Sequence, residues 1–161
     1  MPRISSDQAG GVNRCAFLDA IAYSEIGPAL LAVSDDGYNV MVGSTSQQPY
    51  LFDGYATHPN VYSARFNSTA AGRYQLLYRY WIAYKELLGL ADFSPESQDR
   101  IAMQQIKESN AIPLIDAGKF VDAVAAVAHL WASLPGSPYG QHTQSMSDLE
   151  TAYTRSGGSL C

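Results

Sequence analysis

Glu25 is the residue whose type and position most suggest chemistry. Apolar periodicity predicts a helix over residues 13–24 with Leu18 and Ile21 on one face, and Glu25 falls on that face at the helix C-terminus. Partial burial and the helix dipole both raise the pKa of a carboxyl group placed there. A carboxyl that stays protonated near neutral pH can act as a general acid, as cleavage of a glycosidic bond requires. This helix alone leaves the alternative open, a glutamate at the helix end that faces water.

A second candidate region is the run of small residues from Ser68 to Gly72, which is followed by Arg-Tyr-Gln75. Small residues allow a backbone to approach a ligand closely. Tyr74 and Gln75 would then offer a ring and an amide to a sugar, which presents apolar faces edged by hydroxyl groups. The alternative is an ordinary helix start in which Tyr74 packs into the core.

A third candidate region is residues 131–141, where glycines and prolines alternate with aromatic and polar side chains. This punctuation predicts a rigid loop between two helices. Tyr139 and Gln141 are its candidate binding residues, whereas Trp131 is assigned to the core.

Other familiar sites are not indicated by the sequence. His58, His129 and His142 share no ligand spacing, and Cys15 and Cys161 are interpreted as free thiols in a reducing compartment. The chain has no Gly-x-Ser-x-Gly elbow and no glycine-rich phosphate loop. We therefore expect neither a metal nor a cofactor.

Composition favours one compact catalytic or binding domain. The chain has 161 residues, is 47% hydrophobic and carries a net charge of −5. Without a basic cluster, nucleic acid is not an expected partner. Residues 1–7 contain no apolar run that would predict a signal peptide, and residues 111–134 are interrupted by charges, so no stable membrane insertion is expected.

The order of predicted elements gives an α+β fold that is mostly helical. Residues 1–12 are expected to form a flexible N-terminal arm, and residues 13–161 a single domain. Short β-like runs at 38–42 and 50–52 predict a small antiparallel element after the first helix. Further helices are predicted over 70–88, 95–107, 111–116 and 120–132, with a last one that begins at a capping box at Ser147.

Several short motifs, or sequence words, occur together in a fixed order over residues 13–158. They are Ala16-Phe-Leu-Asp-Ala-Ile-Ala-Tyr-Ser-Glu25, Gly37-Tyr-Asn-Val-Met-Val-Gly43, Gly72-Arg-Tyr-Gln-Leu-Leu77, Asp92-Phe-Ser-Pro-Glu-Ser-Gln-Asp99, Gln104-Gln-Ile-Lys-Glu108, Trp131-Ala-Ser-Leu-Pro-Gly136 and Tyr139-Gly-Gln141. The ordered set resembles the lambda lysozyme, or endolysin, family of peptidoglycan lytic transglycosylases. Each word is weak by itself, whereas their order is highly specific.

The resemblance implies a lysozyme-like α+β domain with a substrate groove between two lobes, and it assigns the catalytic role to Glu25. Ser68 belongs to the small-residue run before the family's Gly-Arg-Tyr-Gln motif and is included among the candidate binding residues. The resemblance places Tyr74, Gln75, Tyr139 and Gln141 in the groove.

One departure from the family pattern concerns position 39. The family often has Gly-Tyr-Asp where this chain has Gly37-Tyr38-Asn39. Asn39 can therefore hydrogen-bond to substrate but cannot act as an acid.

The reaction that we hypothesise uses Glu25 alone. It would protonate the oxygen between N-acetylmuramic acid and N-acetylglucosamine and leave a 1,6-anhydro product. The first alternative is a hydrolytic lysozyme with a second carboxylate from Asp35, Asp36 or Asp53. The second is a non-catalytic glycan-binding phage protein.

The resemblance also implies where such a protein acts. Its partner would be the glycan strands of peptidoglycan, and it would be a monomer that accumulates in the host cytoplasm. A separate membrane-permeabilising protein, a holin, would then release it to the periplasm and cell wall.

Overall fold

The computed structural model describes residues 1–140 and 143–161, and its regular structure is helical. Gln141 and His142 lie outside the described residues. Within the described part of the chain the helices are α1 (Ser6–Ala9), α2 (Val12–Ile26), α3 (Pro28–Ala32), α4 (Tyr78–Leu88), α5 (Pro95–Glu108), α6 (Ile112–Asp116), α7 (Phe120–Val127) and α8 (Met146–Arg155). The prediction of a mostly helical chain is confirmed.

The chain divides into two compact units, the first formed by Met1–Glu25 with Ala102–Cys161. Its aromatic core places Phe120 between Phe17 and Tyr153, with ring centroids 5.7 and 4.6 Å apart respectively. The predicted apolar face of α2 is buried, since Leu18 and Ile21 are at most 1% exposed. Burial of this face fixes the rotation of α2, and with it the side on which Glu25 lies.

The segment predicted as a flexible arm contains the short helix α1. The Ser5 hydroxyl accepts a hydrogen bond from the Gln8 amide nitrogen, and the Gln8 side chain accepts one from the Ser5 nitrogen, which is a capping box. Ile4 and Ala9 are buried. These contacts supply local order, while the flexibility of the arm stays a prediction.

The second unit comprises Ile26–Ile101 and has an aromatic and aliphatic core of its own. One of its buried clusters consists of Ala71, Leu76, Trp81, Leu90, Phe93 and Ile101. Trp81 and Phe93 meet edge to face with ring centroids 5.1 Å apart. Helix α3 lies near the start of this unit. It can begin at Pro28 because a first-turn N–H has no partner within the helix, so the missing N–H of proline costs nothing there.

The small antiparallel β element is not confirmed as a sheet. The described residues contain isolated antiparallel bridges, among them Val40 with Leu51 and Met41 with Ala71, but no named strand. Pro49 carries no N–H for a ladder, and the Ser44 hydroxyl accepts from the Tyr50 nitrogen in place of a backbone carbonyl. Side-chain bonds thus replace part of the strand pairing.

The predicted helix over 70–88 is wrong over residues 70–77, because α4 begins only at Tyr78. Gly72 has φ +82° and Gln75 has φ +49°, both in the left-handed region that a helix cannot use. A Cβ on Gly72 would collide with the Gln98 side chain, so this turn requires glycine. The remaining predicted helices are present, although α7 ends at Val127.

The last helix begins slightly earlier than predicted. Its N-cap is Ser145 rather than Ser147, and the Ser145 hydroxyl accepts from the Asp148 nitrogen at 3.1 Å.

In the part of the chain that the structure describes, no helix is both long and apolar enough to cross a membrane. The predicted groove between two lobes stays a prediction.

Candidate active site

Glu25 lies in the last turn of α2, partly buried, with its carboxylate bonded to a serine from a distant loop. The Ser133 hydroxyl donates to Oε1 of Glu25 at 2.5 Å, and the Ser133 backbone N–H donates to the same oxygen at 3.4 Å. The Ser24 hydroxyl in turn donates to Oγ of Ser133 at 2.8 Å. These three residues form a directed chain of hydrogen bonds that ends on the carboxylate.

Burial dominates the electrostatics of this carboxyl group. Loss of solvation raises the pKa of Glu25, and the two hydrogen bonds from Ser133 lower it by less, so that the pKa stays above its ordinary value of 4.5. The direction agrees with the prediction made from the helix face. A carboxyl of this kind retains its proton to higher pH than an exposed glutamate, which suits a general acid.

Ser133 is held in place by its neighbours. Trp131 and Leu134 on either side of it are almost completely buried. The Leu134 N–H donates to the Trp131 carbonyl at 3.2 Å, and the Ser137 N–H donates to the Leu134 carbonyl at 3.1 Å. Two buried side chains and two turn bonds thus present the serine at a fixed position.

In the second unit, a different polar network surrounds the Gly-Arg-Tyr-Gln motif. Arg73 is 1% exposed, and its guanidinium pairs with the Asp36 carboxylate at 2.8 Å and donates to the Asp36 carbonyl. Burial raises the pKa of Asp36, but its hydrogen bonds and nearby positive charge, Arg73 included, outweigh this and lower it below 3.8. Asp36 is therefore a fixed negative charge.

Asp99 is the second anchor of this network and is completely buried. Its Oδ1 accepts hydrogen bonds from the hydroxyl groups of Tyr38 at 2.8 Å and Tyr74 at 2.6 Å. The Gln98 side-chain amide accepts a hydrogen bond from the Arg73 backbone N–H and donates one to the Tyr38 carbonyl. Side chains from α5 thus hold the sequence words at 37–43 and 72–77.

The candidate binding residues of the second unit form hydrogen bonds with other groups of the same unit. Tyr74 is 4% exposed and bonds to Asp99, and the Gln75 amide donates to the Gly72 carbonyl at 2.9 Å. Asn39 Oδ1 accepts from the Asp35 nitrogen at 3.0 Å, and the Ser68 hydroxyl accepts from the Ala70 nitrogen at 3.1 Å. These bonds shape the backbone, and contact of these residues with substrate stays a prediction.

Tyr139, one of the two loop residues predicted to bind substrate, belongs to the first unit. Tyr139 is 58% exposed, and its hydroxyl donates to the His129 carbonyl at 2.8 Å, which orients the ring. Its neighbour Gln141 falls outside the described residues. The ring of Tyr139 is accessible for stacking on a sugar.

The candidate second carboxylates are placed in the second unit. Asp35 accepts from the Tyr55 hydroxyl at 2.6 Å, Asp36 is paired with Arg73, and Asp53 is exposed. No group of three or more histidine, cysteine or acidic side chains able to hold a metal occurs among residues 1–140 and 143–161.

Sequence reasoning missed Ser133, Ser24 and Asp99. Ser133 lies within the motif Trp131-Ala-Ser-Leu-Pro-Gly136. The signal that could have found it was a small polar residue between two residues that pack in the core. Asp99 gave a weaker signal, an acid in an amphipathic helix with no sign of its tyrosine partners.

Comparison with known proteins decides the family. A family model for endolysins matches residues 15–160. The chain belongs to the endolysin family. This endolysin is 43% identical to the endolysin of Escherichia phage lambda over 151 residues, covering 91% of this chain and 92% of that one. It is 40% identical to the endolysin of Escherichia phage P2 over 166 residues, covering 98% of both.

Solved structures give the same result for the fold of this endolysin. Bacteriophage lambda lysozyme complexed with a chitohexasaccharide matches with a TM-score of 0.86 at 41% identity, covering 100% of both chains. A second structure of lysozyme from bacteriophage lambda matches with a TM-score of 0.81 at 40% identity, again over 100% of both chains. The lambda lysozyme fold expected from the ordered sequence words is therefore present.

Proposed function

We propose that this endolysin lyses peptidoglycan by cleaving the β-1,4 bond between N-acetylmuramic acid and N-acetylglucosamine through lytic transglycosylation. The observation that carries the proposal is Glu25, a partly buried carboxyl with a raised pKa on a fixed helix face. Membership of the endolysin family supports the substrate class. A glycan substrate is also supported by the similar lambda lysozyme, whose structure is a complex with a chitohexasaccharide.

In the proposed reaction, Glu25 transfers its proton to the glycosidic oxygen as the bond from that oxygen to C1 of the muramic acid breaks. An oxocarbenium-like state develops at C1. The ionised Glu25 then takes the proton of the muramic C6 hydroxyl while that oxygen bonds to C1. The balance is one bond broken, one bond formed and the proton returned to Glu25, with no water consumed. An intramolecular nucleophile of this kind benefits from a high effective molarity.

A single carboxyl is favoured because the other candidate acids already have partners or lie in water. Asp36 is paired with Arg73, Asp35 bonds to Tyr55, and Asp53 is exposed. A hydrolytic enzyme would need one of them as a base or nucleophile beside Glu25. The hydrolase is therefore the second candidate and shares the same general acid.

Access to the wall completes the proposal. The enzyme acts as a monomer that stays in the host cytoplasm until a holin permeabilises the membrane, after which it reaches the periplasmic peptidoglycan. Purified protein added from outside should therefore clear only permeabilised Gram-negative cells. A protein that binds these cells without clearing them would instead be a non-catalytic glycan binder.

Mass spectrometry of digested peptidoglycan tests the reaction. We expect fragments that end in 1,6-anhydro-muramic acid. Fragments that end in a reducing sugar, heavier by one water, would show that the enzyme is a hydrolase and not a transglycosylase. The Glu25→Gln variant serves as the control for contaminating activity and should release neither product.

A further inference from the structure

The two carboxylate oxygens of Glu25 have different surroundings. Both hydrogen bonds from Ser133, from its hydroxyl and from its backbone N–H, end on Oε1. None of the described residues forms a hydrogen bond with Oε2. Within residues 1–140 and 143–161 the carboxylate is thus held asymmetrically, through Oε1.

Ser24 gives this arrangement a direction. A serine hydroxyl has one proton, and Oγ of Ser133 already accepts the proton of the Ser24 hydroxyl at 2.8 Å. The Ser133 hydroxyl is thereby turned to donate towards Glu25, where the short distance of 2.5 Å indicates a strong bond to a carboxylate oxygen. An oxygen that accepts this bond, together with a longer one of 3.4 Å from the Ser133 backbone N–H, is a poor place for the carboxyl proton, which belongs on Oε2.

We propose that Ser133, oriented by Ser24, is a positioning residue that holds Oε1 as a permanent acceptor and thereby assigns both proton transfers of the reaction to Oε2. The inference rests on the proposed function. Oε2 gives its proton to the glycosidic oxygen as the C1–oxygen bond breaks, and it later takes the proton of the C6 hydroxyl as the new C1–oxygen bond forms. Neither serine gains or loses a proton or a covalent bond.

The same contact tunes the acid. The Ser133 bonds lower the pKa of Glu25 while burial raises it, and no charged side chain of the described residues is a cause of the shift. Ser133 therefore stabilises the ionised form that appears after the first proton transfer. Without it, Glu25 would hold its proton more firmly and serve less well as the base of the second step.

The test is Ser133→Ala, assayed on soluble glycan strands over a range of pH. Loss of a hydrogen bond to a charged group predicts a fall in kcat of about 10- to 100-fold with little change in KM. The alkaline limb of the kcat/KM profile should move to higher pH, since the pKa of Glu25 rises when its donor is removed. Ser133→Thr, which keeps the hydroxyl, should restore both the rate and the profile.

Ser24→Ala should act in the same direction with a smaller effect, because it removes only the bond that orients Ser133. Ser109→Ala is the matched control, since this partly buried serine of the same unit donates to the Gln105 carbonyl and has no bond to Glu25. Its rate and pH profile should equal those of the wild-type protein.

The outcomes separate the two proposals. An unchanged rate and pH profile in Ser133→Ala, or a loss of folded protein with normal kinetics per folded molecule, would overturn the positioning role while Glu25 keeps its function. If Glu25→Gln itself remains active, the proposed function fails, whatever Ser133 does.

Discussion

Glu25 in the first unit and Asp36 in the second are both partly buried carboxyl groups with side-chain partners, yet their pKa values shift in opposite directions. Glu25 is hydrogen-bonded to the neutral donor Ser133, which offsets the effect of burial only in part, so its pKa rises. Asp36 lies beside positive charge that includes the guanidinium of Arg73, and its pKa falls. The charge of the neighbouring groups thus decides whether the pKa of a partly buried carboxyl rises or falls.

The hydrogen-bond networks around Glu25 and Asp36 also differ in what they hold in place. The network of the second unit connects Arg73, Asp36, Asp99 and Tyr74, and it holds the backbone of the Gly-Arg-Tyr-Gln motif. The chain of Ser24 and Ser133 supports a single carboxylate oxygen. Substitutions along the Ser24–Ser133–Glu25 chain should therefore change activity more than stability, and those in the network of the second unit should change stability first.

The largest expected effect is the loss of activity in Glu25→Gln. Removal of a general acid and base costs about 10²- to 10⁴-fold in rate, while the amide keeps the shape and the hydrogen bonds from Ser133. Peptidoglycan clearing and thermal unfolding should be measured on the same preparation. Asp53→Asn is the matched control at an exposed acid. An equal loss of activity there would favour the hydrolytic alternative.

A smaller effect is expected from Tyr74→Phe, which removes one of the two hydroxyl donors to the buried Asp99. A hydrogen bond to a buried charged group contributes about 1.5–3 kcal/mol, so the free energy of unfolding in urea should fall by this amount. Tyr139→Phe is the control, because its hydroxyl meets a backbone carbonyl on an exposed residue and its loss should change stability by less than about 0.5 kcal/mol. A rise in KM without loss of stability in Tyr74→Phe would instead support direct contact with substrate.

The opposite pKa shifts predict opposite pH dependences of stability. The folded pKa of Glu25 is raised, so the wild-type protein loses stability relative to Glu25→Gln as pH rises above 4.5, the ordinary value. The folded pKa of Asp36 is lowered, so its contribution is present above 3.8 and is lost as pH falls through the folded pKa. The penalty of Asp36→Asn should therefore be larger at pH 6 than at pH 3.

Urea unfolding of the wild-type protein and both variants at pH 3, 4.5, 6 and 7.5 checks these signs. The stability of Glu25→Gln relative to wild type should increase along this series. Parallel pH curves for the two variants would contradict the distinction between the two carboxyl groups.

The smallest effect is expected at a third kind of carboxylate, Asp116, which pairs with Arg14 on the surface of the first unit at 2.7 Å. Although this pair uses two guanidinium nitrogens, both partners are partly exposed to solvent, which screens the attraction. Arg14→Ala should lower the free energy of unfolding by about 1 kcal/mol or less, and less at high salt. A loss comparable to that of Tyr74→Phe would show that exposure does not weaken this pair.

Local patterns were sufficient for the longer helices α2 and α5 and for proposing Glu25 as the catalytic carboxyl, whereas α1 and α3 were not predicted. Burial of Leu18 and Ile21 follows from their spacing, and the same spacing placed Glu25 on that face before any contact was known. The helix over 70–77 could not be excluded in this way. Its residues have helical periodicity, but the left-handed turn at Gly72 and Gln75 depends on Gln98, which packs against it from α5.

The sequence by itself determined the family and the longer helices, and it singled out Glu25 as the candidate acid, because these are expressed in spacing and in the order of motifs along the chain. Only the tertiary structure decided the partners of each polar group. Ser133 lies 108 positions from Glu25, and Asp99 lies 25 from Tyr74. Whether a carboxyl keeps or loses its proton depends on burial and on the charge of its neighbours, and both are set when distant segments pack together.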